Sequence, residues 1–421
     1  MKKICFMILL GCSSMMVQAQ DLDNVKEMIN KSQFKEARVI IDKYLAQPKN
    51  AGEAEAWYYK GRIYNGLSLD KANADSVIYS LKSESFDAFK KEQSLDPKDI
   101  YLLVEGYASY LDLYVGLYDF GAKQFNAKNY GIAYQAFKKA NEVKDYTLDK
   151  KYSYTQVTLY PLDTALVLNT AVAATQAKKI EEGIAFYKKL TDAGVSGKDY
   201  ENVYEYLVDY YTKKDDQAAL QPIFAKAKKL YPTNPFWNDV ELRAIAAKGD
   251  NNALYAKYDE MLAKDPNNYD LAYGYAVELY NSLIKKDDKT KANPAELEKL
   301  QSVLKIAIAA DKGIDATVLM TNHLFNRSAD LLSAANLIKS TKPEEIKKKT
   351  ELKAKANASM DETITYADAA IKYFEAQTTL KPVQKANYSI ILDHLSEMYD
   401  VKNNPKKVAE FDAKKKVVDK L

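Results

Sequence analysis

Residues 217–232 read QAALQPIFAKAKKLYP, and residues 251–266 read NNALYAKYDEMLAKDP. Leu220, Phe224, Ala227 and Pro232 of the first stretch recur as Leu254, Tyr258, Met261 and Pro266, each 34 residues later. Val208 and Tyr211 recur as Leu242 and Ile245 at the same offset. A fixed period of this length marks a chain built from one repeated supersecondary unit, each copy burying a face against its neighbour.

The residues at these positions resemble the tetratricopeptide repeat (TPR). That pattern asks for a small or apolar residue inside helix A, then Ala, an aromatic and Ala along helix B, then Pro. Gly121, Ala133, Phe137 and Ala140 fit with the right spacing, Gly183, Tyr187 and Leu190 fit a helix-B half, and Trp57, Gly61 and Tyr64 fit a helix-A half. The small residue lets two antiparallel helices approach, and the aromatic fills the gap between pairs. The resemblance implies an all-α fold, a superhelical solenoid of about eight or nine TPR-like antiparallel helix pairs spanning residues 20–421. Helix B is expected to centre on Ala37, Phe89, Phe137, Tyr187, Phe224, Tyr258, Leu304, Phe374 and Phe411, with the closest match over residues 117–312.

The departures from the pattern are equally specific. Trp57 to Pro97 is 40 residues where the repeat needs about 28, and Ala272 to Lys312 shows the same excess, so insertions are expected near residues 65–84 and 281–295. A third, residues 145–162, reads DYTLDKKYSYTQVTLYPL and alternates from Tyr152 onward in a way more strand-like than helical. A fourth, residues 341–360, opens on Pro343-Glu344-Glu345 and carries KKK and KAK; it reads as a solvated helix start and a charged linker. Insertions in such arrays map to one face or edge, where partners commonly bind.

The bulk composition fits a folded chain. Of 421 residues, 47% are hydrophobic and 28% charged, which is too balanced for disorder. Lys and Arg total 61 against 58 Asp and Glu, interspersed, so no basic field is available to hold a nucleic-acid backbone. The opening MKKICFMILLGCSSMMVQAQ has a basic start, an apolar stretch from Ile4 to Leu10 and small residues before Gln20, the layout of a cleaved export signal over residues 1–19. That places the mature protein in the periplasm. The competing reading lipidates Cys12 and tethers the protein to the outer membrane, but Leu10 is a poor fit two places before the cysteine. Every later apolar run is broken by charge, so no spanning helix is expected. Both cysteines lie in the leader, which removes disulfides and thiol chemistry from the rest.

The chain has two histidines, His323 and His394, and none of the glycine-rich phosphate cradles, nucleophile elbows or HExxH zinc patterns. His323 reads as a packed, hydrogen-bonded core histidine. His394, with Asp393 and Glu397 nearby, reads as surface, with a weak cation site as the sharper alternative. No cofactor, metal or enzymatic activity is expected, and the partners are expected to be other proteins, envelope proteins or peptides among them.

Helix A lines the concave face in TPR proteins. Mapping its outward positions gives Tyr118 and Phe125, Phe236 and Arg243, and Tyr273 and Tyr280 as candidate partner-binding residues, because aromatic and Arg side chains dominate interface hot spots. Tyr152 and Tyr154 of the third insertion join them as a possible ligand platform. The leading expectation is a scaffold for envelope assembly; the alternative is a helical outer-membrane protein that captures glycans or other ligands.

Overall fold

The computed structural model describes residues 21–155, 157–285, 293–310 and 313–420. The expected signal peptide, Cys12 and residues 286–292 of the insertion at 281–295 lie outside these residues. The described residues are helical with irregular connections and contain no strand. They fall into two compact units, one ending at Phe236 and one beginning at Trp237.

In the first unit, α1 (residues 21–30) pairs with α2 (Phe34–Leu45), α3 (Ala54–Leu67) with α4 (Asp75–Leu95), α6 (Ala108–Asn126) with α7 (Tyr130–Asp149), α8 (Thr164–Gln176) with α9 (Ile180–Asp192), and α10 (Glu201–Lys213) with α11 (Gln217–Leu230). A short α5 (Ile100–Val104) stands between the second and third pairs. The second unit continues with α12 (Phe236–Ala246) and α13 (Asn251–Lys264), α14 (Tyr269–Lys285) and α15 (Pro294–Ala309), α16 (Asp315–Leu337) and α17 (Pro343–Glu375), and α18 (Pro382–Val401) and α19 (Pro405–Val418). Each expected helix-B centre, from Ala37 to Phe411, lies in the second helix of a pair.

The turn within a pair is a recurring backbone event. Ser32, Lys128, Lys178, Asp215, Gly249 and Asn403 each adopt a left-handed conformation two residues before helix B begins. A single left-handed residue ends one helix and redirects the chain into the next with the fewest residues. Asp216 and Asp250, 34 residues apart, then cap helix B by accepting from the N–H groups of Ala219 (3.1 Å) and Ala253 (3.0 Å). The pairs α3–α4 and α16–α17 lack this turn, and both have connections that the sequence marks as lengthened.

Inside the pairs, glycine and aromatic meet as the repeat requires. A Cβ on Gly61 of α3 would lie 2.3 Å from the ring of Phe89 on α4, and one on Gly121 of α6 would lie 2.7 Å from Phe137 on α7. Gly66 is covered the same way by Phe34 of the preceding pair, at 2.5 Å. Phe89 and Phe137 are fully enclosed.

Two insertions differ from their sequence reading. The segment from Asp145 is not strand-like: α7 runs through Asp149, and the residues described from Lys150 to the start of α8 are irregular, with Tyr152 drawn onto Tyr107 and Tyr110 instead of pairing in a strand. The segment 341–360 is not a linker. Pro343 occupies the first turn of α17, where its missing N–H costs nothing, Glu344 and Glu345 follow in the same turn, and the lysine runs continue as unbroken helix.

Replacing Gly121 by Val is expected to destabilise the first unit by about 1–3 kcal/mol through overpacking against Phe137, and Phe137→Ala by about 3–5 kcal/mol through the cavity left. Thermal unfolding followed by circular dichroism measures both; a Gly121→Val melting temperature equal to wild type would show that the close approach is not required.

Candidate partner-binding surfaces

Successive pairs are joined by polar bonds between their first helices, and the candidate tyrosines take part in them. Asn169 of α8 donates to the Tyr118 hydroxyl at 3.0 Å, while the Tyr118 ring sits edge-on to Phe137 with centroids 5.7 Å apart. Asn326 of α16 donates to the Tyr280 hydroxyl at 3.3 Å. Tyr114 of α6 reaches the carboxylate of Asp163, the residue that also caps α8 by accepting from Leu166 N–H at 2.9 Å. Tyr118 and Tyr280 are therefore half-buried struts between neighbouring pairs.

The remaining helix-A candidates are spread over different surroundings. Phe125 packs edge-on to Tyr130 at 5.2 Å. Tyr273 stacks on Tyr269 at 5.5 Å, and burial, with Asp315 nearby, raises its hydroxyl pKa. Phe236 is half-buried at the start of α12, where its N–H donates to Asn234. Arg243 is exposed, with Nε donating to the Asp239 carbonyl at 3.3 Å. Within each unit these side chains share helices, but they do not form a continuous row of open rings.

Tyr152 and Tyr154 of the third insertion lead to a cluster that sequence reading did not find. Tyr152 stacks face to face on Tyr107, with centroids 3.8 Å apart, and lies 5.6 Å from Tyr110, which also meets Tyr146 at 5.5 Å. The Tyr152 hydroxyl donates to Asp99. Beneath these rings Asp99 and Glu92 are both buried, and neither Glu92 oxygen has a geometrically satisfactory hydrogen-bond partner. Burial, reinforced by Asp99, raises the Glu92 pKa well above the usual carboxyl range, so that it is held as the neutral acid. Tyr154 is half-buried, and burial pushes its hydroxyl up to about 12.

The backbone around this cluster is bent to fit it. Asp99, Gly106 and Tyr107 are all left-handed, and they bracket α5. For an aromatic residue such as Tyr107 that conformation is unusual, and the Tyr152 stack holds it in place. One signal was available in the sequence: Glu92 continues the apolar stripe Phe86, Phe89 along α4, a position where a carboxylate is out of character.

The histidines are packed. His323 is 3% exposed, and burial together with the Arg327 charge lowers its pKa to about 4. His394 stacks on Phe325 at 3.7 Å with Nε2 3.1 Å from Asn322 Oδ1, while Asp393 beside it is held by Lys415 at 2.5 Å. His394 is thus a contact between α16 and α18, not a surface residue. Among the described residues no group of three or more His, Asp or Glu side chains is arranged to hold a metal, and no helix is long and apolar enough to cross a membrane.

Exposed apolar side chains occur on regular helices, Val39 of α2 and Val417 of α19 among them, and also at several places where the chain departs from the repeat. On α5, Ile100, Leu103 and Val104 are 49%, 53% and 83% exposed. Leu69 and Val77 flank the α3–α4 connection, Val157 and Tyr160 lie in the third insertion, and Leu337 and Ile346 face solvent at the α16–α17 turn.

The helix pairs, the 34-residue offset and the glycine–aromatic contacts define an all-helical repeat fold that resembles the TPR pattern. No protein-family model matches it, and no curated protein does. Among solved structures it is similar to a TPR repeats protein from Bacteroides fragilis NCTC 9343, at 18% identity, covering 68% of this chain and 98% of that one with a TM-score of 0.27. It is also similar to the human IFIT1 dimer with PPP-AAAA, at 12% identity, covering 92% and 80% with a TM-score of 0.23. Yeast Tom70 stands at 12% identity, 96% of both chains and a TM-score of 0.23.

The buried acid makes a pH prediction. Glu92 is neutral when folded and ionises near the normal carboxyl range when unfolded, so its contribution is fully present below that range and is lost as pH rises toward its raised folded value. Glu92→Gln keeps the shape without the proton, so its stability relative to wild type is expected to rise between pH 5 and pH 8. Urea unfolding at the two pH values checks this, and an unchanged difference would mean Glu92 is ionised in the fold.

Proposed function

We propose that this chain is an exported binding scaffold of the periplasm that holds protein partners of the cell envelope through its insertions more than through the faces of its helix-A row. The observation that carries this reading is the set of three exposed aliphatic side chains within the short α5, Ile100, Leu103 and Val104. A folded chain gains nothing by leaving Val104 in water beside Ile100 and Leu103, whereas an apolar patch with a polar surround is what a protein partner covers. The helix-A tyrosines Tyr118 and Tyr280, by contrast, engage their hydroxyls with the next pair. The leader-like first nineteen residues support export, and the interspersed charge favours protein over nucleic acid as partner.

Crosslinking and affinity purification from the native cells test this, with wild type beside an Ile100→Ser, Leu103→Ser, Val104→Ser triple variant and a Tyr118→Phe, Tyr280→Phe double variant. Envelope proteins are expected with wild type and the tyrosine variant and to fall at least about tenfold with the α5 variant, helical circular dichroism being unchanged in all three. Equal recovery with the α5 variant would remove α5 as the docking site, and a cytoplasmic location of the protein would overturn the export reading.

A further inference from the structure

α16 and α17 are the longest described helices, at 23 and 33 residues. They are bound into the second unit along their inner halves. Ser359 donates to the Leu324 carbonyl, Gln301 of α15 donates to Glu362, and Lys402 of α18 pairs with Asp361. α17 begins eighteen residues before Asp361, a helical length of about 27 Å. Between Ala335 and Ala356 no residue is buried. This outer end of the hairpin is folded yet contributes nothing to the core.

Its outer end is strongly basic. Residues 337–355 hold seven lysines against Glu344, Glu345 and Glu351, a net of four positive charges, while the whole chain carries a formal net charge of +3. Six of those lysines are exposed, and the seventh, Lys349, is half-buried with its ammonium on the Ile338 carbonyl at 3.2 Å, tying the connection to α17. At the turn itself Leu337 is 77% exposed and Ile346 is 50% exposed.

We propose that this hairpin end contacts the surface of an anionic lipid bilayer, with Leu337 and Ile346 entering the boundary between headgroups and acyl chains and the surrounding lysines meeting the lipid phosphates. Aliphatic tips ringed by lysines suit that boundary, because long lysine stems lie along apolar surface while the ammonium stays with the phosphates. A nucleic acid would engage the lysines but leave the two aliphatic side chains in water. The inference does not depend on the partner reading of α5, since the two features lie in different units of the chain.

The test is sedimentation of the full chain with vesicles of phosphatidylcholine alone and of phosphatidylcholine with one quarter phosphatidylglycerol, at low and high salt. Wild type is expected to bind the anionic vesicles at least about tenfold better than the neutral ones, and high salt to weaken that binding. Lys347→Glu, Lys348→Glu and Lys353→Glu together are expected to abolish the preference, and Leu337→Asn with Ile346→Asn to weaken binding several-fold. No buried residue is touched, so circular dichroism should remain that of wild type. A Leu337→Trp variant adds a second readout, its emission shifting to the blue with anionic vesicles. The proposal fails if the triple lysine variant sediments like wild type, if Leu337→Trp shows no shift, or if the hairpin binds an acidic protein or RNA but not anionic vesicles.

Discussion

Everything regular in this chain depends on how closely two antiparallel helices can be brought together. Gly61 under Phe89 and Gly121 under Phe137 set that distance: the ring occupies space that a single methyl group on the facing helix would take away. Once the ring is seated, the register between helix A and helix B is fixed, because sliding by a residue turns the ring away from the gap. In the α6–α7 pair, where the connection is short, left-handed Lys128 turns the chain two residues before α7. In α3–α4 and α16–α17, where the connection is lengthened, that turn is absent while the pairing of the helices persists.

The constraint also explains why the chain is so rich in tyrosine. Thirty-three tyrosines are more than a core needs if rings alone were wanted. Tyr118, Tyr280 and Tyr114 each place a ring in apolar packing and a hydroxyl on a polar group of the next pair, so one side chain fills space and crosses the interface. The third insertion uses the same device, with Tyr152 stacking on Tyr107 while bonding Asp99. That enclosure shields Glu92 and Asp99 from water and makes a neutral carboxyl the cheaper state for Glu92.

The second unit shows the opposite treatment of surplus chain. Residues inserted between α16 and α17 extend the two helices outward, so their side chains meet solvent and whatever approaches from it. One insertion is thus folded inward onto a polar cluster, and the other is carried away from the core. Composition separates them: tyrosine-rich sequence can bury its rings, whereas lysine-rich helical sequence has nothing to bury.

The all-helical class, the 34-residue offset and the places of the helix-B segments were legible in the sequence, because spacing along a helix is a local property carried by residues such as Phe224 and Tyr258. Local pattern could not say which side of an aromatic faces a neighbour. Tyr118 and Tyr280 occupy outward positions in the repeat, yet Asn169 and Asn326, 51 and 46 residues away, decide that their hydroxyls are engaged. Alternation from Tyr152 suggested a strand, but a strand needs an edge to pair with, and the rings found helices first. The buried acid, the stacked Tyr107 and Tyr152, and His394 against Phe325 arise from contacts between segments distant in sequence, which only the tertiary structure brings together.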